Sequence, residues 1–373
     1  MKILFDNQSF LMQTFGGISR YYSEIYQNLS KNSQISTSLP LVFTENEYIK
    51  NEIQQKLSKK FPIANFLLKN NIFKRKVKRY LRKTNRKQMI DALKNQDFDV
   101  FIPTYYDPYF LEHIQNKPFV LTVYDMIHEI YPQYFETDDK TSDYKKILIP
   151  KAHKIIAVSE NTKKDILHFF PAINPSKIEV VYHGFSQNTH SKLKNKLPER
   201  YVLYMGARPA YKNFEFFLKA FLQLSKEDNE LKIVAAGGGK LSKNDVFIIE
   251  SYNLTEKIIH YRFEEKELDA LYQNAQCFVF PSEYEGFGIP VLEAMANGCP
   301  IVLPYQSSFP EVAGDAGIYF ETNNLEDLIE KLKTVLYNVD FKDIFIEKGK
   351  IQAAKFTWGA AANHCLEVYK KAK

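Results

Sequence analysis

Two carboxylates eight positions apart, Glu285 and Glu293, bracket a glycine-rich turn in the run Phe280-Pro-Ser-Glu-Tyr-Glu-Gly-Phe-Gly-Ile-Pro-Val-Leu-Glu293. Gly286 and Gly288 free the backbone and Pro290 suits the first turn of a helix, so Gly286, Phe287, Gly288 and Ile289 are expected to present N–H groups at a helix N-terminus, a natural anion cradle. Carboxylates beside phosphates would be repelled, so the natural partners of Glu285 and Glu293 are neutral hydroxyls, to which ionised carboxylates bond strongly. A nucleotide sugar supplies both phosphates and hydroxyls. A second loop, Gly206-Ala-Arg208-Pro-Ala-Tyr-Lys212-Asn213, carries two cations past the expected strand 201–205. Arg208 and Lys212 there suit the charge on a departing diphosphate, and with them no metal is needed. Asn213 is expected to cap the helix that begins at Phe214. Taken singly, the first motif also fits an ordinary glycine turn with a helix-dipole glutamate, and the second a pair of solvated cations.

The first half of the chain offers weaker candidates. Gly16-Gly17 follows the first strand and permits close backbone approach, but the G-x-G-x-x-G dinucleotide fingerprint is absent. Asp125-Met-Ile-His128-Glu129 puts ionisable groups at the end of a strand, where a single His serves structure as readily as catalysis. Tyr105, Tyr106, Asp107 and Tyr109 follow another strand, and such a cluster can stack on sugar rings or simply pack. Asp97-Phe-Asp99 matches a D-x-D metal motif, although turn formation explains it better. Gly237-Gly-Gly239 reads as a strand-to-helix turn and Ser159 as a helix N-cap. No G-x-S-x-G elbow, H-E-x-x-H pair or Walker loop occurs, which disfavours those hydrolases and P-loop chemistry.

The elements that position these residues follow an alternating pattern. Short apolar runs near 2–6, 98–102, 118–124, 154–158 and 178–182 alternate with amphipathic stretches, and after a polar linker at 186–199 the pattern restarts at 201–205, 231–236, 258–261, 277–280 and 300–303. Such alternation implies parallel sheets flanked by helices, here two α/β units, each doubly wound and Rossmann-like, facing a central cleft. The expected boundaries are 1–186, 187–355 and a last segment 356–373, in which Trp358 to Lys373 either finishes the second unit or crosses back to the first.

Composition bounds the rest. The 373 residues are 45% hydrophobic and 25% charged, the profile of packed α/β units rather than a disordered chain. Cys277, Cys299 and Cys365 lack metal-ligand spacing and are expected as reduced, buried thiols. The start turns polar too early for a signal peptide, and no apolar run is long enough to span a bilayer, so a cytoplasmic location is expected. A formal charge of +6 is too mild for a dedicated nucleic-acid binder. Its cations are concentrated, however: between Glu52 and Asp91 no acid occurs, while thirteen Lys and Arg fall at 56–87, interleaved with Phe66, Leu67, Leu68, Ile72, Phe73, Val77, Tyr80 and Leu81. That pattern fits a basic amphipathic helix on an anionic membrane surface, and equally a helical arm packed on its own domain.

Taken together, the Glu285 to Glu293 block, the Arg208 and Lys212 loop, the Gly16-Gly17 turn and the run Ala157-Val-Ser-Glu-Asn-Thr-Lys-Lys-Asp165 resemble the retaining GT-B glycosyltransferases of family 4. The resemblance spans nearly the whole chain. It implies metal-independent transfer of a sugar from a nucleotide diphosphate, with the anomeric configuration kept. By the same resemblance, Glu293 holds ribose hydroxyls, Glu285 the donor sugar aided by backbone N–H groups near Phe287 and Gly288, Arg208 and Lys212 the diphosphate, and Gly16-Gly17 lets the first domain close. It also implies a final helix that returns to the first domain.

Two positions depart from the family pattern. Many members have His where Tyr124 stands, which leaves the donor-sugar contact to Tyr124 or His128, with Asp125 beside them. Gly is frequent where Arg262 stands, after the strand ending at Tyr261 that faces the nucleobase, so base preference is open. The run Phe15-Gly-Gly-Ile-Ser-Arg-Tyr21 is most similar to bacterial enzymes that build surface polysaccharides, among which GDP-linked, mannose-like donors are common; a UDP-sugar is the other candidate. Acceptor contacts would fall to Tyr105, Tyr106, Asp107 and Tyr124, and a lipid-linked saccharide acceptor would give residues 56–87 a reason to sit at the inner membrane face. Two other activities share these features: a GT-B epimerase or hydrolase using His128, Asp125 and Glu129, and a carbohydrate-binding scaffold without catalysis.

Overall fold

The computed structural model describes residues 1–70, 73–187 and 191–373. Ile72 of the basic segment and residues 188–190 of the linker lie outside the described residues, as does the side chain of Lys69.

Strands β1 (Lys2–Phe5), β2 (Ser36–Ser38), β3 (Val100–Ile102), β4 (Val120–Val123), β5 (Lys154–Ala157) and β6 (Ile178–Val180) belong to the first domain. They pair in parallel in the orders β2-β1-β3 and β4-β5-β6, and a parallel bridge between Phe101 and Phe119 joins the two sets. The second domain holds β7 (Tyr201–Met205), β8 (Lys232–Ala236), β9 (Ile258–Tyr261), β10 (Cys277–Val279), β11 (Ile301–Pro304) and β12 (Gly317–Phe320), in the parallel order β12-β11-β10-β7-β8-β9. Counted from β7, that is the doubly wound order 3-2-1-4-5-6, with its reversal between β7 and β10. The central strands β3, β4, β7, β10 and β11 are buried along their whole length, as both faces of a parallel sheet under helices must be.

Two strands were not legible in the alternation. Ser36–Ser38 is polar and only partly buried at the edge beside β1, and Gly317–Phe320 is a four-residue edge strand at the far side of the second sheet.

One buried core runs through both sheets and is continuous across the hinge. There His183 is buried, with Tyr21, Phe287 and Trp358 rings centred 4.7, 4.8 and 6.0 Å away. A Cβ on neighbouring Gly184 would lie 2.2 Å from the Trp358 nitrogen, so the linker and the start of the last helix cross at backbone contact. The last helix, Trp358–Ala372, packs on the helix Gly17–Ser30 of the first domain: Tyr21 Oη lies 3.2 Å from Cys365 Sγ, and Lys371 reaches Glu179 at 2.9 Å. All three cysteines are buried and unpaired.

The basic segment forms three helices, Lys50–Lys60, Pro62–Lys69 and Lys74–Asn95. Val77 and Leu81 bury against Val42, Phe43 and Leu57, so this arm is packed on its own domain. Ile63, Phe66, Phe73 and Tyr80 remain exposed. Among the described residues no helix is long and apolar enough to cross a membrane.

Candidate functional site

A cavity of about 760 Å³ lies between the domains. Gly16, Gly17, Arg20 and Tyr48 wall it on the first-domain side, and Gly206, Gly237 to Gly239, Arg262, Phe263, Glu265 and Glu293 on the other. At Gly17 the domains lie within van der Waals reach: a Cβ there would make an ordinary contact with Ile289 at 3.8 Å. Gly288 caps the helix Ile289–Ala296 in the left-handed region, at φ 93°, so a side chain there would be strained. One turn in, Glu293 is buried, hydrogen-bonded to the Arg20 guanidinium and accepting from Tyr272 Oη at 3.1 Å. Glu265 Oε1 stands 3.7 Å from the same guanidinium.

On the other side of the Gly286 turn is a second cluster. Lys212 Nζ is hydrogen-bonded to Glu285, and each side chain is less than one-fifth exposed. Tyr134 and Phe135 of the first domain reach across, their rings 6.1 and 6.3 Å from that of Tyr211, and Tyr134 Oη donates to Glu283 at 3.0 Å. Gly286 is where the domains touch: a Cβ there would fall 1.6 Å from the Tyr124 carbonyl oxygen. Further clamps surround it. Tyr284 Oη donates to Asp165 at 2.6 Å, and Glu311 accepts from the N–H groups of Glu160 and Asn161 at 2.8 and 3.0 Å, at the N-terminus of the helix Glu160–Phe169. Ser159 caps that helix by accepting from Thr162 N–H at 2.9 Å.

The structure therefore divides the four charged residues of the two motif loops. Glu293 lines the interdomain cavity, and Glu285 with Lys212 lies beside it, across the turn. Arg208 faces neither. Its guanidinium donates to Asp245 at 3.2 Å and to the carbonyls of Gly206, Gly237, Gly239 and Lys240 at 3.1 to 3.3 Å, and its side chain is 3% exposed. A diphosphate contact for Arg208 would require it to leave these partners, since its donors are taken up by Asp245 and the carbonyls of the glycine turn. That turn, read from sequence as a plain connection, is a wall of the cavity. Asn213 does not cap either; it adopts φ 51° before Phe214, and its side chain makes no cap bond.

Other candidates also move. Tyr261 is buried with its hydroxyl on Glu267 at 2.7 Å, whereas its neighbour Arg262 faces the cavity. Tyr106 and Tyr124 are core residues: Tyr106 Oη accepts from Tyr124 N–H at 3.1 Å, and Tyr124 Oη donates to the Thr104 carbonyl at 3.3 Å. Tyr124 packs against Tyr21 and Tyr22, and Tyr106 against Tyr105 and Tyr124, which keeps both rings within the core. Tyr105 is half-buried, and Asp107 caps the turn Pro108–Glu112 while standing 3.8 Å from Arg86. Asp97 and Asp99 bind Lys2, the former through its ammonium and the latter through its backbone N–H.

His128 stacks on Phe135 at 3.8 Å and stands 3.4 Å from Asp139; burial lowers its pKa. Beside it lies Lys145, which sequence reading missed. It is fully buried, donating to the Asp125 carbonyl at 2.9 Å and to Glu129 at 3.0 Å. Asp125 and Glu129 are thus held by a buried ammonium. Arg20 was missed as well, because one Arg within a helical pattern carries no spacing signal; its place directly after Gly-Gly-Ile-Ser is the only cue. Among the described residues, no group of three or more His, Cys, Asp or Glu side chains is placed to hold a metal ion.

Similarity to known proteins extends over almost the whole chain. Residues 15–188 match the model described as Glycosyltransferase Family 4, and residues 185–352 match that for Glycosyl transferases group 1. The chain is 27% identical over 391 residues to the O-antigen chain mannosyltransferase B of Escherichia coli, covering 99% of this chain and all of that one. It is 28% identical to the N-acetylgalactosamine-N,N'-diacetylbacillosaminyl-diphospho-undecaprenol 4-alpha-N-acetylgalactosaminyltransferase of Campylobacter jejuni, over 56% of this chain and 58% of that enzyme. Anabaena HepE, solved with UDP and glucose, superposes with a TM-score of 0.72 over 98% of each chain at 15% identity, a likeness of fold.

Proposed function

Because the chain belongs to the family 4 glycosyltransferases of GT-B fold, we propose that it moves a sugar from a GDP- or UDP-linked donor to a saccharide or lipid-linked saccharide. The product would be part of a bacterial surface polysaccharide. The observation that carries this reading is the pairing around one turn: Glu293 in the interdomain cavity on one side, Glu285 with Lys212 on the other. A nucleotide sugar laid across that turn has its ribose hydroxyls at Glu293, its diphosphate between Lys212 and the helix start at Ile289, and its sugar by Glu285.

Glu285, the carboxylate nearest the proposed sugar, is paired with Lys212, which suits front-face displacement better than attack by an enzymic nucleophile. The bond from the anomeric carbon to the diphosphate oxygen breaks, and the acceptor hydroxyl bonds to the same face. Its proton passes to the departing phosphate. Lys212 stabilises the leaving charge without a metal, while contact at Gly286 and Tyr124 keeps water out. The buried ammonium of Lys145 holds Asp125 and Glu129, which argues against their use as the acid and base of an epimerase or hydrolase.

The acceptor side is proposed to meet a membrane. Arg75, Lys78, Arg79, Arg82, Lys83 and Arg86 line a groove of about 470 Å³, and the exposed Ile63, Phe66 and Phe73 stand on the same arm. Cations beside exposed apolar side chains suit an anionic bilayer face. Product analysis with a panel of nucleotide sugars and saccharide acceptors tests the transferase reading. Sugar transfer with nucleoside diphosphate release supports it, and release of free sugar alone replaces it with hydrolysis.

A further inference from the structure

Resting on the nucleotide-sugar reading above, we propose that Glu265 and Arg262 read the nucleobase and select guanine over uracil. The strand order fixes where a base must lie. Lys212 and Glu285 follow β7 and β10 at the switch point, and Glu293 stands one turn into the helix after β10. The cavity continues from Glu293 over the loops after β8 and β9, which carry Gly237 to Gly239 and Arg262 to Glu265. A nucleotide with its phosphates at the switch point and its ribose at Glu293 therefore ends with its base over those two loops.

The loops bring an aromatic ring, Phe263, and polar side chains to one wall of the cavity. Gly237 has φ 72°, and a Cβ there would come within 3.3 Å of Phe263 Cε1, so glycine lets the two loops approach closely. Arg208 holds the glycine turn in place through the Gly237 and Gly239 carbonyls. At the rim, Glu265 stands 3.7 Å from the Arg20 guanidinium that binds Glu293, so its carboxylate lies past the ribose position, on the side where the base would lie. Its side chain is 42% exposed at the cavity wall, where its oxygens can meet the N–H groups of a ligand, and partial burial raises its pKa against the pull of Arg20.

Guanine offers two such N–H groups on one edge. Its N1–H and 2-amino N–H point the same way, and two carboxylate oxygens accept both in parallel, while its O6 and N7 are acceptors for the Arg262 fork. Uracil presents a single N–H between two carbonyl oxygens, which the carboxylate would repel. Glu265 and Arg262 together therefore favour one base by attraction and reject the other by charge.

Calorimetric titration of the full chain with GDP, IDP and UDP tests this. IDP is the incisive probe, since it differs from GDP only in lacking the 2-amino group. The expected result is GDP bound about tenfold tighter than IDP and at least about tenfold tighter than UDP, the scale of one charge-assisted hydrogen bond. In Glu265→Ala both ratios should fall towards one, with thermal unfolding of the unliganded variant confirming the fold. UDP bound as tightly as GDP, or a GDP:IDP ratio unmoved by Glu265→Ala, overturns the base assignment and leaves the nucleotide-sugar reading intact. If none of the three nucleotides binds the wild-type chain, the nucleotide-sugar reading itself fails.

Discussion

The guanidinium of Arg20, one turn into the helix that follows Gly16, is hydrogen-bonded across the cleft to the carboxylate of Glu293, and both side chains are less than one-tenth exposed. The two domains are thus joined by a buried ion pair at the position proposed for the ribose. Breaking such a pair strands a charge in a poorly solvated place.

Removing the guanidinium alone should therefore be costly. Arg20→Ala is expected to destabilise the chain by about 3 kcal/mol, and Arg20→Ala combined with Glu293→Gln by clearly less than the sum of the two single changes. Thermal unfolding of the four proteins of that cycle measures the coupling. Strict additivity would mean that the pair is not formed in solution.

Lys212 and Arg208 should part company in kinetics. Lys212→Ala is expected to lower kcat by about a hundredfold or more with little change in unfolding temperature, because its charge acts on the leaving group. Arg208→Ala should instead raise the donor KM, because its donors hold the Gly237 to Gly239 wall. A kcat loss for Arg208→Ala equal to that for Lys212→Ala would restore the arginine to the diphosphate.

The hinge histidine predicts a pH dependence. Burial lowers the pKa of His183 to about 3 from an unfolded value of 6.5, so below pH 6.5 the unfolded chain binds a proton that the folded chain refuses. Stability is lost as pH falls through that window, by about 2 kcal/mol at pH 5 for this residue alone. His183→Phe should therefore show a smaller drop in unfolding temperature between pH 7 and pH 5 than wild type. Parallel curves would show that His183 is protonated in the folded chain.

The membrane assignment rests on the arm at 62–86. Neutralising Arg75, Arg79, Arg82 and Lys83 is expected to abolish sedimentation with vesicles containing anionic lipid, and Phe66→Ser with Phe73→Ser to weaken it. Each exposed cation near such a surface contributes about 1 kcal/mol. Equal binding to neutral vesicles would point to apolar contact alone.

Much of the fold was legible because parallel strands buried on both faces announce themselves as apolar runs: Val120–Val123, Tyr201–Met205 and Cys277–Val279 could hardly be anything else. Ser36–Ser38 escaped because an edge strand of polar residues carries no such signal. In the site, Glu285 and Glu293 were visible from glycine context and spacing. What sequence could not supply was direction. Arg208 and Lys212 sit four residues apart in one loop, yet one turns into the glycine turn and the other towards Glu285. Tyrosines after a strand are equally fit for stacking or packing, and only the surrounding Tyr21 and Tyr22 rings decide for Tyr124. Lys145 reads as a solvated helix residue until the fold buries it against Asp125 and Glu129.

Whether the transfer keeps the anomeric configuration is read from proton NMR of the product. The purified chain, given an α-linked nucleotide sugar and a saccharide acceptor, is predicted to release one nucleoside diphosphate per new bond and to show the small anomeric proton coupling, or the larger one-bond carbon–proton constant, of an α-linkage. A β-linked product, or diphosphate released with only free sugar beside it, would contradict the account.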